Sequence, residues 1–309
     1  MVAKRKNNLL EKIFTAAVVF LIVVLLAGII YVLQFREEPS LMKEQKKETK
    51  QITKKAVVPK PKGEKIKALP VQPAPAPVRT VAIIVDDIGN DLNAVKELLK
   101  INADLTFAVL PFCAHSREAA EMFHKAKREI LLHLPMEPVS YPREKPGEGA
   151  LFTDMSDEEI VLQLKKDIAA VPYISGVNNH MGSRFMMDEK KLALIFNELK
   201  KDKLFFVDSR TSADTKALLA AKKTGLPMAE RKIFLDNNRN YNEIYNNLMN
   251  IAKGDDVSSE VIIGHPHPET IRAIKDAAQA LRKKGISIVP ASHIIRKKKP
   301  YFQRFKIVR

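Results

Sequence analysis

Between Thr80 and about residue 295, short apolar runs alternate with longer amphipathic stretches. This alternation constrains the fold more than any other feature of the chain. The apolar runs are VAIIV (81–85), LTFAVL (105–110), EILLHL (129–134), GVNNH (176–180), LFFVD (204–208), KIFLD (232–236), VIIG (261–264) and ISIVP (286–290). Helix-like segments separate them at 92–100, 116–128, from Ser156 onward, and at 188–201, 213–223, 241–253 and 269–284. Ser156 and Glu159 have the spacing of a capping box, which places a helix start there. Strand–helix alternation repeated seven or eight times predicts parallel β/α units. With this many units, an α/β fold closed into an irregular (β/α) barrel of seven to eight strands is the leading architecture, ahead of an open doubly wound sheet. No G-x-G-x-x-G or G-x-x-x-x-G-K-[ST] pattern follows the first strand, which argues against a dinucleotide or P-loop site.

The regions outside the alternation read differently. Residues 13–35 hold no charged side chain, and IFTAAVVFLIVVLLAGIIYVL is almost wholly apolar. At about 1.5 Å per residue, a helix of that length crosses the roughly 30 Å hydrocarbon core of a bilayer. It is too long for a signal-peptide core and has no small-x-small cleavage site close behind it. The short basic segment 1–12 then stays in the cytoplasm by the positive-inside rule. The expected product is a single-pass inner-membrane protein whose C-terminal domain lies in the periplasm. Residues 36–79, Lys/Glu-rich and then Pro/Ala-rich, read as an extended, semi-rigid linker. Residues 80–295 form the barrel, and 296–309 a basic tail.

The formal charge of +16 suggests a nucleic-acid binder until it is located. Residues 36–79 carry twelve Lys/Arg against five Glu, and 296–309 carry seven Lys/Arg and no acid. The body from 80 to 295 is therefore close to neutral and lacks a basic footprint, so nucleic acid is not expected as a primary partner. The single cysteine, Cys113, excludes an internal disulfide and argues against a thiolate metal site.

In β/α barrels the reactive groups gather at the carboxyl ends of the strands. The first run ends in Asp86-Asp87, and the third holds His133 with Glu137 four residues on. The fourth ends in His180 and the fifth in Asp208-Ser209-Arg210. The seventh leads to His265 and His267, and the eighth to His293. Five of the seven histidines thus fall at or just past a strand end, whereas His115 and His124 sit in a helix-like segment and are expected to be solvated. Metal binding is the simplest reason for such convergence. Zn²⁺ takes imidazole nitrogen and carboxylate oxygen and keeps a position open for water in catalytic sites. One aspartate of the pair with two histidines makes a three-ligand site, and the other aspartate is left to act as a base.

Taken in order, VDDIGND, LLHLPME, NNHMGSRF, FFVDSRT and IIGHPH resemble the divergent polysaccharide deacetylases, a branch of the metal-dependent carbohydrate deacetylases. The resemblance covers about residues 80–295 and implies a distorted β/α barrel. It further implies Asp86 as catalytic base, Asp87 and His133 as metal ligands, and His265 as general acid, with His267 a nearby substitute. Where the parent family places a second histidine four residues after the first, this chain has Glu137. The third ligand is then Glu137 or a histidine from elsewhere, with His180 preferred. Arg184, Asp208, Arg210 and His267 are the candidate substrate contacts, with ion-paired scaffolding the other reading of the two arginines.

The expected function is removal of acetyl groups from an envelope polysaccharide by a divalent metal, zinc by donor type. Peptidoglycan or another N-acetylhexosamine glycan is the substrate that location suggests. A catalytically silent glycan-binding or envelope-organising protein on the same barrel is the alternative that Glu137 favours. A glycosidase using Asp86 and Asp208 would leave the histidine convergence without a purpose.

Overall fold

The computed structural model describes residues 79–251 and 260–297. The apolar segment 13–35, most of the linker and the basic tail beyond residue 297 lie outside the described residues. Within them, no helix is long and apolar enough to cross a membrane. Eight strands are described: β1 (Arg79–Ile88), β2 (Thr106–Val109), β3 (Glu129–Met136), β4 (Gly176–Met181), β5 (Phe205–Asp208), β6 (Met228–Phe234), β7 (Glu260–Gly264) and β8 (Ile286–Ile288). They alternate with helices α1 (Leu92–Leu99), α2 (Ser116–Lys125), α3 (Asp157–Ala170), α4 (Glu189–Lys201), α5 (Ala217–Thr224), α6 (Tyr241–Ile251) and α7 (Pro268–Lys283), and α8 (Ala291–Lys297) closes the series. The predicted capping box is present, with Ser156 accepting from the Glu159 amide and Glu159 reaching back to the Ser156 amide.

Every strand pairing is parallel, and the order β2-β3-β4-β5-β6-β7-β1 closes through a β1–β2 pairing into a seven-stranded barrel. The eighth strand is an addition. It pairs with β1 only at Arg79–Val81, whereas β2 takes up the pairing from Ile84 onward. One edge of β1 is thus shared, lower half by β8 and upper half by β2. The barrel of seven to eight strands is observed as seven plus one.

The strand period of two sorts the side chains into layers. Ala82, Ile84, Ala108, Leu131, Val207, Ala229, Val261 and Ile263 form a buried cluster with Ala291, Ile294 and Ile295 of α8, which plugs the bottom of the barrel. The plug is anchored by polar contacts. The Ala291 amide donates to Thr106 Oγ1 at 3.0 Å and the Ser292 amide to Glu129 Oε2 at 3.1 Å, so a threonine and a carboxylate satisfy the first N–H groups of the helix. Two residues further along each strand the side chains become polar: Ile84 leads to Asp86, Leu131 to His133, Val207 to Ser209 and Ile263 to His265. An apolar floor beneath a polar cup follows from that period alone.

His293 is a correction. The eighth apolar run was expected to deliver it to the barrel mouth. Because β8 has three residues and pairs with the start of β1, the following helix lies against the first residues of β2 and β3, at the opposite end.

Asp167, on α3, is fully buried. Its Oδ1 accepts from Gln163 Nε2 at 2.8 Å, while Oδ2 is buried without a hydrogen-bond partner. Burial pushes its pKa up to about 7. A carboxyl whose folded pKa lies above its unfolded value is protonated in the fold and ionised in the open chain between about pH 4 and 7, so stability falls as pH rises through that window. Asp167→Asn removes the dependence. Its stability relative to the parent is expected to rise by about 1–3 kcal/mol between pH 5 and pH 8 in urea melts, and equal slopes for both proteins would contradict it.

Candidate active site

In a regular strand Asp86 and Asp87 would face opposite sides. Here Val85 lies opposite Phe107 and Ile88 opposite Val109, so β1 carries one residue too many for its partner. Asp87 absorbs the extra residue in the left-handed region, at φ 55°. That costs an ordinary residue on the order of 1 kcal/mol and aspartate less, because its short polar side chain tolerates it. The bulge lets both neighbours aim at the mouth. Gly89 follows at φ 141°, where a side chain would strain the backbone and place a Cβ 3.0 Å from that of Cys113.

Three donor atoms meet above the floor. Asp87 Oδ1 lies 3.1 Å from His133 Nε2 and 3.1 Å from His180 Nδ1, and the two nitrogens are 3.1 Å apart. Asp87 Oδ1 is nevertheless a buried oxygen without a well-formed hydrogen bond. His133 is oriented from behind, since its Nδ1 lies 2.9 Å from Asn178 Oδ1 and leaves Nε2 facing the group. The set of one carboxylate and two imidazoles suits zinc, whose ligand bonds of about 2.0–2.2 Å put tetrahedral donors roughly 3.3 Å apart. The residues present therefore fit a divalent metal.

Electrostatics separates the two aspartates. Burial would raise Asp87, but the closeness and charge of His133 and His180 hold it well below the ordinary carboxylate range. Asp86 is 2% exposed, and burial pushes it upward against the pull of His133, His265 and the Asn178 amide. Burial also opposes the charged form of His133, yet Asp86 and Asp87 bring it to about 9. Asp86 Oδ2 is 3.7 Å from His133 Nε2, and Asp86 Oδ1 accepts from Asn178 Nδ2 at 2.8 Å.

His265 faces this group from just past the end of β7, its Nε2 3.9 Å from Asp87 Oδ2. Its Nδ1 lies 2.9 Å from Asp236 Oδ1, and its backbone amide donates to Asp236 Oδ2 at 2.6 Å. Against a burial penalty, Asp236 and the two mouth aspartates raise the His265 pKa, while His265 and Thr270 more than offset the effect of burial on Asp236 and lower it. A buried aspartate paired with a part-exposed histidine thus stands next to a candidate metal site and a second carboxylate.

The sequence relationships agree with that chemistry. Residues 83–295 match the divergent polysaccharide deacetylases. The chain belongs to that family. The uncharacterized protein YibQ of Escherichia coli (strain K12) is 35% identical over 219 residues, covering 70% of this chain and 67% of YibQ. An uncharacterized protein of Haemophilus influenzae (strain ATCC 51907 / DSM 11121 / KW20 / Rd) is 29% identical over 222 residues, 71% of this chain and 78% of that one. The crystal structure of uncharacterized protein ATU2773 from Agrobacterium tumefaciens C58 superposes with a TM-score of 0.67 at 23% identity, over 72% of this chain and 92% of that one, a likeness of fold.

In this member of the divergent polysaccharide deacetylase family, Glu137 is committed away from the donor triad. Its Oε2 accepts from the Thr153 amide at 2.7 Å and from Thr153 Oγ1, while Oε1 faces Arg184 Nη1 at 3.4 Å. Its carbonyl accepts the Arg184 and Phe185 amides, so it fastens the β3–α3 loop to the turn after β4. Arg184 completes that fastening through Val139 O. Asp208, a candidate substrate contact, is fully buried and has no oxygen free for one. Its two oxygens take the Arg210 amide at 2.7 Å and Thr215 Oγ1 at 2.8 Å, and burial raises its pKa. Arg210 pairs with Glu230 at 3.1 Å on the rim. His267 precedes α7, and burial together with the charge of Arg239 lowers its pKa. It forms a second potential ligand group with Asp236 and His265, but hydrogen bonds to His265 and Thr270 already occupy both Asp236 oxygens.

Two residues of the cup were not singled out by sequence. Asp236 ends the run KIFLD, and that terminal carboxylate was the available signal. Asn178 carries no charge and gave none beyond its place in NNH. Asp236→Asn is expected to lower turnover by roughly 10–100-fold while leaving zinc affinity within about threefold, because Asp236 orients the His265 ring and touches none of the triad. Acetate release and chelator competition on the same preparation check both halves.

Proposed function

We propose that the protein is a metal-dependent deacetylase acting on an acetylated envelope polysaccharide, tethered through residues 13–35 to the inner membrane with its barrel in the periplasm. The observation that carries the reading is the orphaned Asp87 Oδ1, held 3.1 Å from two imidazole nitrogens with a second carboxylate and a carboxylate-backed histidine beside it. Asp87, His133 and His180 would hold the metal, zinc by donor type. When bound, it supplies Lewis acidity to the acetyl carbonyl and to the attacking water.

The chain's own residues do the rest. Asp86, buried and anchored by Asn178, takes the proton from water. His265 gives a proton to the departing amine or alkoxide, and Asp236 holds its ring so that Nε2 points into the cup. The apolar floor keeps solvent from reaching the cup from below, which strengthens each of these charge interactions. The apolar segment 13–35 and the basic residues before it support the membrane placement, and the N-acetylhexosamine substrate follows from that placement and from the family.

The test is acetate release from N-acetylglucosamine oligomers and from peptidoglycan by the full chain. Release that is lost in His133→Ala supports the reading. A protein that binds zinc and glycan without releasing acetate is instead the silent glycan-binding form.

A further inference from the structure

We infer that Asn178 is a positioning residue that serves the base and the metal ligand together, so that one amide sets the orientation of Asp86 and the tautomer of His133. The inference rests on the deacetylase reading above. Asn178 lies in register with His133 across the β3–β4 ladder and is fully buried. Its Nδ2 is 2.8 Å from Asp86 Oδ1 and 3.4 Å from Ser209 Oγ, and its Oδ1 is 2.9 Å from His133 Nδ1.

Only one orientation of the amide suits this surrounding. As the base of the proposed reaction Asp86 is ionised, and an ionised carboxylate accepts and cannot donate, so the NH₂ must face Asp86. The carbonyl oxygen is then left for His133, whose Nδ1 must carry the hydrogen. In the neutral ring that metal binding requires, the lone pair of His133 is thereby placed on Nε2, the atom 3.1 Å from both Asp87 Oδ1 and His180 Nδ1. Reversing the amide would put its oxygen against Asp86, losing that contact, and its hydrogens against His133 Nδ1, which would force the ring hydrogen onto Nε2 and block the ligand atom. Asn179, one residue on, does unrelated work: it joins Met181, Ser209 and Thr211 and ties β4 to the loop after β5.

The two roles separate under substitution. Asn178→Leu removes the acceptor for His133 and the donor for Asp86. Asn178→Asp keeps an acceptor for His133 but sets a carboxylate against Asp86. The experiment measures Zn²⁺ affinity by chelator competition, acetate release and the thermal midpoint on the full chain. Asn178→Leu is expected to weaken zinc by about 10–100-fold, while Asn178→Asp keeps it within about threefold. Both variants are expected to lose turnover, by roughly 100-fold or more, because neither anchors the base.

A residue that merely fills space would shift the thermal midpoint and leave the two zinc affinities alike. Equal affinities in the two variants, or a wild-type affinity in Asn178→Leu, overturn the inference. A parent protein that binds no zinc overturns the deacetylase reading itself, and is recognised before any variant is compared.

Discussion

His133→Ala is expected to abolish zinc binding at micromolar metal and acetate release with it. His133 is at the centre of the cup, 2% exposed, between Asp86 and Asp87 and edge-on to His180. Deleting an outer partner of a metal ligand costs roughly 10–100-fold in affinity, and deleting a ligand outright costs more. The substitution also acts on the metal-free protein. The ring, with a pKa brought to about 9, is the cation nearest the two carboxylates at neutral pH. Without it Asp86 and Asp87 keep only His265 and His180 beside them, and a buried charge left without its partner is destabilising by about 3–5 kcal/mol where burial is complete. Asp87 is part-exposed, so the lower half of that range is expected as stability lost in urea melts. A folded variant that still binds zinc tightly would remove His133 from the ligand set.

Asp86→Asn is expected to separate chemistry from binding. Asparagine keeps the shape, and Asp86 lies 3.7 Å from His133 Nε2, outside the 3.1 Å triangle, so zinc affinity should stay within about tenfold. The variant cannot accept a proton from water, and loss of a positioned general base costs about 10²–10⁴-fold in turnover. Asp87→Asn gives the reverse pattern, with zinc lost first and activity lost as a consequence. Chelator competition and single-substrate kinetics on the pair decide between the roles. Equal zinc loss in both would show two ligands and no base.

The strand period made the floor and the cup legible in the sequence. The steps from Ile84 to Asp86, from Leu131 to His133 and from Ile263 to His265 need only a count of two along each apolar run. What the period could not give were departures from it. Asp87 reaches the mouth because β1 has a bulge and a left-handed residue, and neither leaves a mark in composition. Asp208 was open as a substrate contact and Glu137 as a third ligand behind the preferred His180, since each ends or follows an apolar run. Their neighbours decide the matter: Thr215 and the Arg210 amide absorb one carboxylate, and Thr153 with Arg184 absorb the other. His293 was misplaced because a three-residue strand ends before it can reach the mouth.

The dependence of acetate release on added zinc tests the account most directly. The metal-stripped full chain, given N-acetylglucosamine oligomers, is predicted to be inactive and to gain activity linearly until a break at about one equivalent of Zn²⁺, as a single three-ligand site requires. Acetate release that is unchanged by stripping, or that never appears at any zinc ratio, would contradict it.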